Sequence, residues 1–383
     1  MSTASEILNL PPEVLATIPV GTPPAGVQAL SLNPVSRGWL LISVSSILFF
    51  MATTCFIIRV YTRAAIQRKA VRSDFILLAG FVMAIIFYIA SILLVTSGGT
   101  TGVHEWDKSL LELFSKRNLV PFYISAIVVN PAFGLVKLSI FVMYLEIFAG
   151  LRWMQICVYI GASFSSAFYL AVTILLFYLS TPFGSETFAS KILTPQYDMY
   201  ILVGIPTSAI SFGIDIYLLV LPLIAVSNLC IPRKQKIFVM VGFAVGLLAC
   251  LGSLLSIIYR VVINRSQDAS WNGLTVVLVI LVELFCGIMI ACFPSLLLFF
   301  RRHHEHFAKT GAAISSWLCC TRYRKSNTTI KDSQYSSYPS ERTPAGEVNL
   351  YPDLDFLTTP GNVERTALEK RMENRIGRDA IAV

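Results

Sequence analysis

Charge is what this chain has least of. Only 14% of its 383 residues are charged, 55% are hydrophobic, and the mean hydropathy is +0.69. A soluble globular protein carries about 25% charged residues, so that class is excluded. Histidine numbers four. Three of the four fall in His303, His304, Glu305, His306, which lacks metalloprotease spacing and follows Arg301 and Arg302, so it reads as a solvated juxtamembrane segment and not a metal site. No nucleophile elbow, phosphate-binding glycine loop or zinc pattern occurs, which argues against an enzyme. Residues 1–35 hold no early Lys or Arg, and Pro11, Pro12, Pro19, Pro23 and Pro24 interrupt every apolar stretch. Residues 1–38 therefore read as an uncleaved, flexible extracellular tail. The net charge is +8, but its Lys and Arg residues sit at the ends of apolar runs and form no basic domain with aromatic platforms. Nucleic acid is not the expected partner; the lipid bilayer is.

What the chain has is length in its apolar runs. Seven reach the roughly 20 residues that a bilayer core requires: 39–58, 75–96, 120–148, 156–179, 200–226, 237–259 and 274–300. The expected fold is an all-α integral membrane bundle of seven transmembrane helices over 39–300. Arg59, Arg63, Arg68, Lys69 and Arg72 follow the first run, Arg152 the third, Arg233, Lys234 and Lys236 the fifth, and Arg301 and Arg302 the seventh. Those connections read as cytoplasmic, which places the amino terminus outside and the carboxyl terminus inside. A plasma membrane fits better than an internal one. Asn264-Arg265-Ser266 is a glycosylation sequon in a loop expected outside, whereas Asn327 falls in the cytoplasmic tail. The eight cysteines lie in expected helices or inside, so no extracellular disulfide is expected. Cys319 and Cys320, after Trp317-Leu318 and before Arg322, suit palmitoylation or stand as free thiols. Residues 301–383 read as a largely disordered tail, rich in Ser, Thr, Tyr and Pro from 326 to 344, with a short amphipathic stripe at Leu368, Met372 and Ile376.

Three charges break the apolar pattern at depth: Lys137, Asp215 and Glu283. Lys137 lies roughly 16 Å from the inner end of its run, near mid-bilayer, where a lone charge costs about 2.5 kcal/mol or more. Asp215 is at a similar depth, so the two are expected to pair. Glu283 lies nearer the outer end of the seventh run, positioned to face a ligand cavity or to reach Arg260. Such a centre either serves a ligand or fixes helix register. Pro206, Pro222 and Pro294 each remove a backbone donor inside a run and tend to kink it.

Ordered motifs accompany these charges. Arg59-Val60-Tyr61-Thr62-Arg63 and Ser73-Asp74 stand between the first two runs, Gly102-Val103-His104 in the next loop, and Lys137 with Ser139 and Tyr144 in the third run. Asp215 with Leu221-Pro222, Lys236, Ser256 with Arg260, and Glu283 with Ala291 to Leu296 around Pro294 complete the set. From about residue 39 to 302 the chain resembles the fungal rhodopsin-like integral membrane proteins, a family that includes receptor candidates and the satratoxin-cluster membrane proteins. Ser73 departs from the family's Asp-Asp pair, Glu146 stands where relatives usually have Arg, and Thr181-Pro182 replaces a Cys-Pro. The resemblance implies no retinal, since run 274–300 offers no lysine for a Schiff base. No cofactor is expected.

The resemblance implies a receptor-like protein that senses an extracellular or membrane-soluble signal through an unknown small molecule and passes it to a cytoplasmic partner at the inner loops and tail. The alternative is a transporter or accessory membrane protein of a secondary-metabolite gene cluster.

Overall fold

The computed structural model describes residues 10–318 apart from 25, 31–33, 69–70, 97–100, 185–186, 228–232 and 267. In chain order the helices are α1 (Pro12–Thr17), α2 (Gly38–Tyr61), α3 (Arg72–Thr96), α4 (Leu110–Leu113), α5 (Lys116–Ile147), α6 (Arg152–Ser180), α7 (Phe188–Ile192), α8 (Pro195–Ser227), α9 (Arg233–Arg265) and α10 (Ala269–Leu318). Seven of them, α2, α3, α5, α6, α8, α9 and α10, are long and apolar enough to cross a membrane. The chain divides into two compact units at Phe300 and Arg301. Within the second, residues 301–318 are helical. Cys319, Cys320, Asn327 and the stripe from Leu368 to Ile376 lie outside the described residues, as do the side chains of His303 to His306.

The helices run past the apolar stretches at their ends. α5 begins at Lys116, α9 continues to Arg265, and α10 starts at Ala269. Charged residues end an apolar run without ending a helix, because Lys and Arg are good helix formers whose heads reach the interface. What starts α10 is a cap: the Asp268 carboxylate accepts from the Trp271 amide at 3.3 Å. Asn264, expected in a loop, consequently lies exposed in the last turn of α9.

α5 and α10 form the interior. In their most apolar windows 56% and 61% of residues are buried, against 17% in the first span and 22% in α6. The perimeter helices instead turn Phe50, Ile57, Ile160, Phe164, Leu170 and Ile174 outward, the apolar exterior that a bilayer solvates. α5 packs most extensively on α3 and α6, and α8 on α9 and α6. Gly80 sets the α3 spacing: a Cβ there would lie 3.1 Å from Val136 Cγ2 and 3.2 Å from the Val136 backbone nitrogen. Small residues at such crossings let helices approach closely. Gly80→Leu is therefore expected to separate α3 from α5 and cost about 1–3 kcal/mol, read as a lower unfolding midpoint of the purified protein.

Of the segment expected to be a flexible tail, the described residues between 18 and 37 are laced to residues 102–110. Pro19 and Ser36 form isolated bridges with Ser109 and Val103, the Val20 amide donates to the Lys108 carbonyl at 2.9 Å, and the Leu30 amide to the Trp106 carbonyl at 3.0 Å. Its prolines break long helices but suit extended pairing, and Pro12 sits at the first position of α1, where no amide is needed.

Candidate functional site

Three helices carry polar residues at a common spacing inside otherwise apolar turns, and a fourth adds one carboxylate. Ser208, Ser211 and Asp215 on α8 recur at i, i+3 and i+7, as do Ser253, Ser256 and Arg260 on α9. Asn130 and Lys137 on α5 stand seven apart, and α10 supplies Glu283. That periodicity places each set on one helix face.

The faces converge on Lys137, which is 3% exposed. Its ammonium lies 2.8 Å from Asp215 Oδ1 and 3.4 Å from Glu283 Oε1, and donates to Ser211 Oγ at 2.8 Å and to the Ser211 carbonyl at 3.1 Å. The hydrogen-bond accounting closes around Ser211. Its hydroxyl donates to Glu283 Oε1 at 3.0 Å, and it accepts from Lys137 and, at 2.9 Å, from Tyr169. Asp215 Oδ2 takes the Ser253 hydroxyl at 2.5 Å. One ammonium therefore faces two carboxylates, and Arg260 on the neighbouring turn of α9 brings the four intramembrane charges to a formal sum of zero.

Glu283 belongs to this cluster because α10 begins five residues before position 274, which sets the carboxylate about 21 Å along the helix. Arg260, expected at a helix end, lies inside α9 for the matching reason: Val261, Val262 and Ile263 continue the helix beyond it. Above the cluster, α5, α6, α8, α9 and α10 enclose a cavity of about 60 Å³. Asn130, Tyr200, Ser208 and Arg260 line it, and Ser211 and Glu283 form its floor at the ion cluster. It has room for about four waters. Pro206, beside this cavity, frees the Leu202 carbonyl, and Pro131, which the sequence reading passed over, frees that of Ile127.

The Arg-x-Tyr-x-Arg residues lie elsewhere. Arg59 and Arg37 stand on α2 and its cap, about 33 Å apart along the helix, and they anchor two further clusters. Arg59, 2% exposed, donates to Asp74 Oδ1 from Nε at 2.9 Å and from Nη2 at 2.7 Å, to Ser73 Oγ at 3.0 Å, and to the Ala291 carbonyl. It ties α2 to α3 and α10, three residues before Pro294. Arg63 reaches Glu146 Oε2 at 3.2 Å and Gln67 Oε1 at 2.7 Å. Tyr61 takes no part: it is 48% exposed, edge-on to Phe299 at 6.0 Å.

At the other end of α2, His104 is stacked between Trp106 at 4.3 Å and Trp271 at 3.9 Å, with Asp268 Oδ2 2.5 Å from its Nδ1. Arg37 lies over the Trp271 ring at 4.1 Å. Beside them, burial raises the Glu105 carboxyl above its ordinary value of 4.5, opposed by the Ser270 amide, which donates to it at 3.1 Å. Burial likewise lowers Lys108, opposed by Glu112 and Asp107. A carboxyl whose folded value is raised stabilises the docked state below 4.5 and loses that contribution as pH rises through the folded value. Glu105→Gln keeps the acceptor and removes the charge. At pH 7 it is expected to slow hydrogen exchange at the Val20 and Leu30 amides, with the difference from wild type vanishing below pH 4.5. Asp268, the charged neighbour that acts on Glu105, is present in both proteins, so the comparison isolates the one group.

Residues 58–302, well over half of the chain, match the family model described as the fungal rhodopsin domain. The chain is also similar to a SAT4 family membrane protein of Emericella nidulans, at 31% identity over 197 residues that cover 50% of this chain and 47% of that protein. It thus spans about half the length of the curated relative it matches.

Proposed function

Because the chain belongs to the fungal rhodopsin family of multi-pass membrane proteins, we propose that it is a receptor-like sensor that takes a small molecule into the cavity above Lys137. In this reading the amino terminus is outside, the carboxyl terminus is cytoplasmic, and the protein sits in the plasma membrane. The observation that carries it is the floor of the cavity. Glu283 and Ser211 line the ligand space and also hold Lys137, so a ligand that draws on either one alters the balance among α5, α8 and α10. Only such a differential contact can shift a conformational equilibrium. The Arg59 cluster, where α10 meets α2 and α3, would carry the change to a cytoplasmic partner.

A second reading rests on the same buried charges. Lys137, Asp215 and Glu283 beside the proline-interrupted α8 would then line a substrate path in a transporter or accessory protein of a secondary-metabolite cluster. A deletion strain separates the two when metabolites inside and outside the cell are measured with transcripts from the same cultures. Sensing predicts a transcriptional change that precedes any redistribution of compounds. Accumulation of one compound inside, with transcripts unmoved, rules sensing out and leaves transport.

A further inference from the structure

Two polar side chains that line the cavity, Asn130 and Arg260, have hydrogen-bonding groups without a partner among the described residues. Among the described residues the Arg260 guanidinium makes one hydrogen bond, from Nε to Ser256 Oγ at 3.5 Å, and neither Nη has an acceptor. Among the same residues the Asn130 carboxamide, 6% exposed, has no hydrogen-bond partner. Buried polar groups are almost always paired, so Asn130 calls for a water or ligand partner, and the half-buried Arg260 has Nη donors free to take one. Gly204 leaves the space in which Arg260 lies, since a Cβ there would meet Nη1.

We propose that the cavity binds a small monocarboxylate, gripped in bidentate fashion by the Arg260 guanidinium and held from α5 by the Asn130 amide. The proposal rests on the sensor reading and names its ligand class. A planar guanidinium fork matches two carboxylate oxygens. Val129, Phe133, Leu176 and Ile280 offer an apolar wall for a short hydrocarbon tail. Charge favours a single carboxylate over a phosphate. Lys137 and Arg260 already balance Asp215 and Glu283, so a doubly charged phosphate would leave two buried negative charges unmatched. A weak acid that enters as its neutral form leaves none. Its proton passes to the Glu283 carboxylate, its own carboxylate stays on Arg260, and the sum remains zero. Lys137 is then left paired one to one with Asp215, and α10 loses its ionic hold on α5.

The test uses the full chain, purified in lipid nanodiscs, with its thermal unfolding followed against added sodium acetate, butyrate or benzoate and matched sodium chloride. Butyramide and butylamine serve as neutral and cationic controls. At least one carboxylate is expected to raise the midpoint while both controls do not. Arg260→Gln should weaken that carboxylate about tenfold or more, and Glu283→Gln, which mimics the protonated acid, should bind it at least as tightly. Equal shifts from butyrate and butyramide, no shift from any carboxylate, or unchanged affinity in Arg260→Gln overturns the assignment. Should Arg260→Gln fail to fold, unchanged affinity in Asn130→Ala overturns it instead. Arg260-dependent binding, with the deletion strain redistributing a compound and no transcript moving, keeps the site and removes the sensor. Absent binding with a transcriptional change does the reverse.

Discussion

Lys137→Met is expected to remove most of the folded protein. It leaves Asp215 and Glu283, 8% and 5% exposed, without the ammonium that lies 2.8 and 3.4 Å from them. Removing one partner of a buried ion pair costs about 3–5 kcal/mol, a large share of the roughly 5–15 kcal/mol that holds a typical fold. Asp215→Asn is expected to cost less, about 1–3 kcal/mol, because Glu283 still compensates Lys137 and the single amide oxygen still accepts from one of the two donors, Lys137 or Ser253. Charge counting then gives a rescue. In Lys137→Met combined with Asp215→Asn, Glu283 and Arg260 remain as one negative and one positive charge, and folded yield should recover part of the way. Size-exclusion profiles and unfolding midpoints check the order: wild type, then Asp215→Asn, then the double variant, then Lys137→Met. A monodisperse Lys137→Met protein at wild-type yield would remove the structural role of the cluster.

The three charged members of this centre are legible in the sequence because a charge inside 20 apolar residues has no ordinary explanation. The hydroxyls around them are harder to pick out. Serine and threonine are common in membrane helices, where they bond back to the preceding turn, as Ser208 does to the Gly204 carbonyl at 3.0 Å. Only the shared spacing of Ser208, Ser211 and Asp215 with Ser253, Ser256 and Arg260 sets them apart, and it emerges once the depth of Arg260 is known. That depth was hidden because apolar runs stop at charges and helices do not. The docking of described residues between 18 and 37 on 102–110 left no trace of any kind, since backbone pairing between distant irregular segments has no periodicity to read.

Departures from the family motifs find local compensation in the structure. Glu146, which reverses an expected charge, sits 3.2 Å from Arg63, and Ser73, in place of an aspartate, accepts from Arg59 at 3.0 Å. Thr181, where a cysteine is usual, shares a hydrogen bond with Tyr123 at 2.9 Å that joins the end of α6 to α5.

The second large effect is expected at Arg59. Arg59→Met keeps the stem that packs between α2 and α10 but withdraws donors from Asp74, Ser73 and the Ala291 carbonyl at once. Asp74 retains Arg63 at 3.6 Å and the Val71 amide at 3.2 Å, so its charge is not stranded, and the loss should be about 2–4 kcal/mol. Arg59→Lys should recover little of it, because an ammonium cannot reach acceptors on α3 and α10 with one planar fork. Arg63→Met provides the contrast. Arg63 and Glu146 are 17% and 24% exposed at the side chain, and a pair so placed contributes about 1 kcal/mol or less. Exchanging the two charges, Arg63→Glu with Glu146→Arg, keeps the pair but replaces the guanidinium 3.6 Å from Asp74 with a carboxylate, so the exchange should recover little of what Arg63→Met loses. Unfolding midpoints of the four variants measure the hierarchy. Equal losses in Arg59→Met and Arg63→Met would mean that the three-helix junction is held by apolar packing around Pro294, and that the buried guanidinium fills space without clamping it.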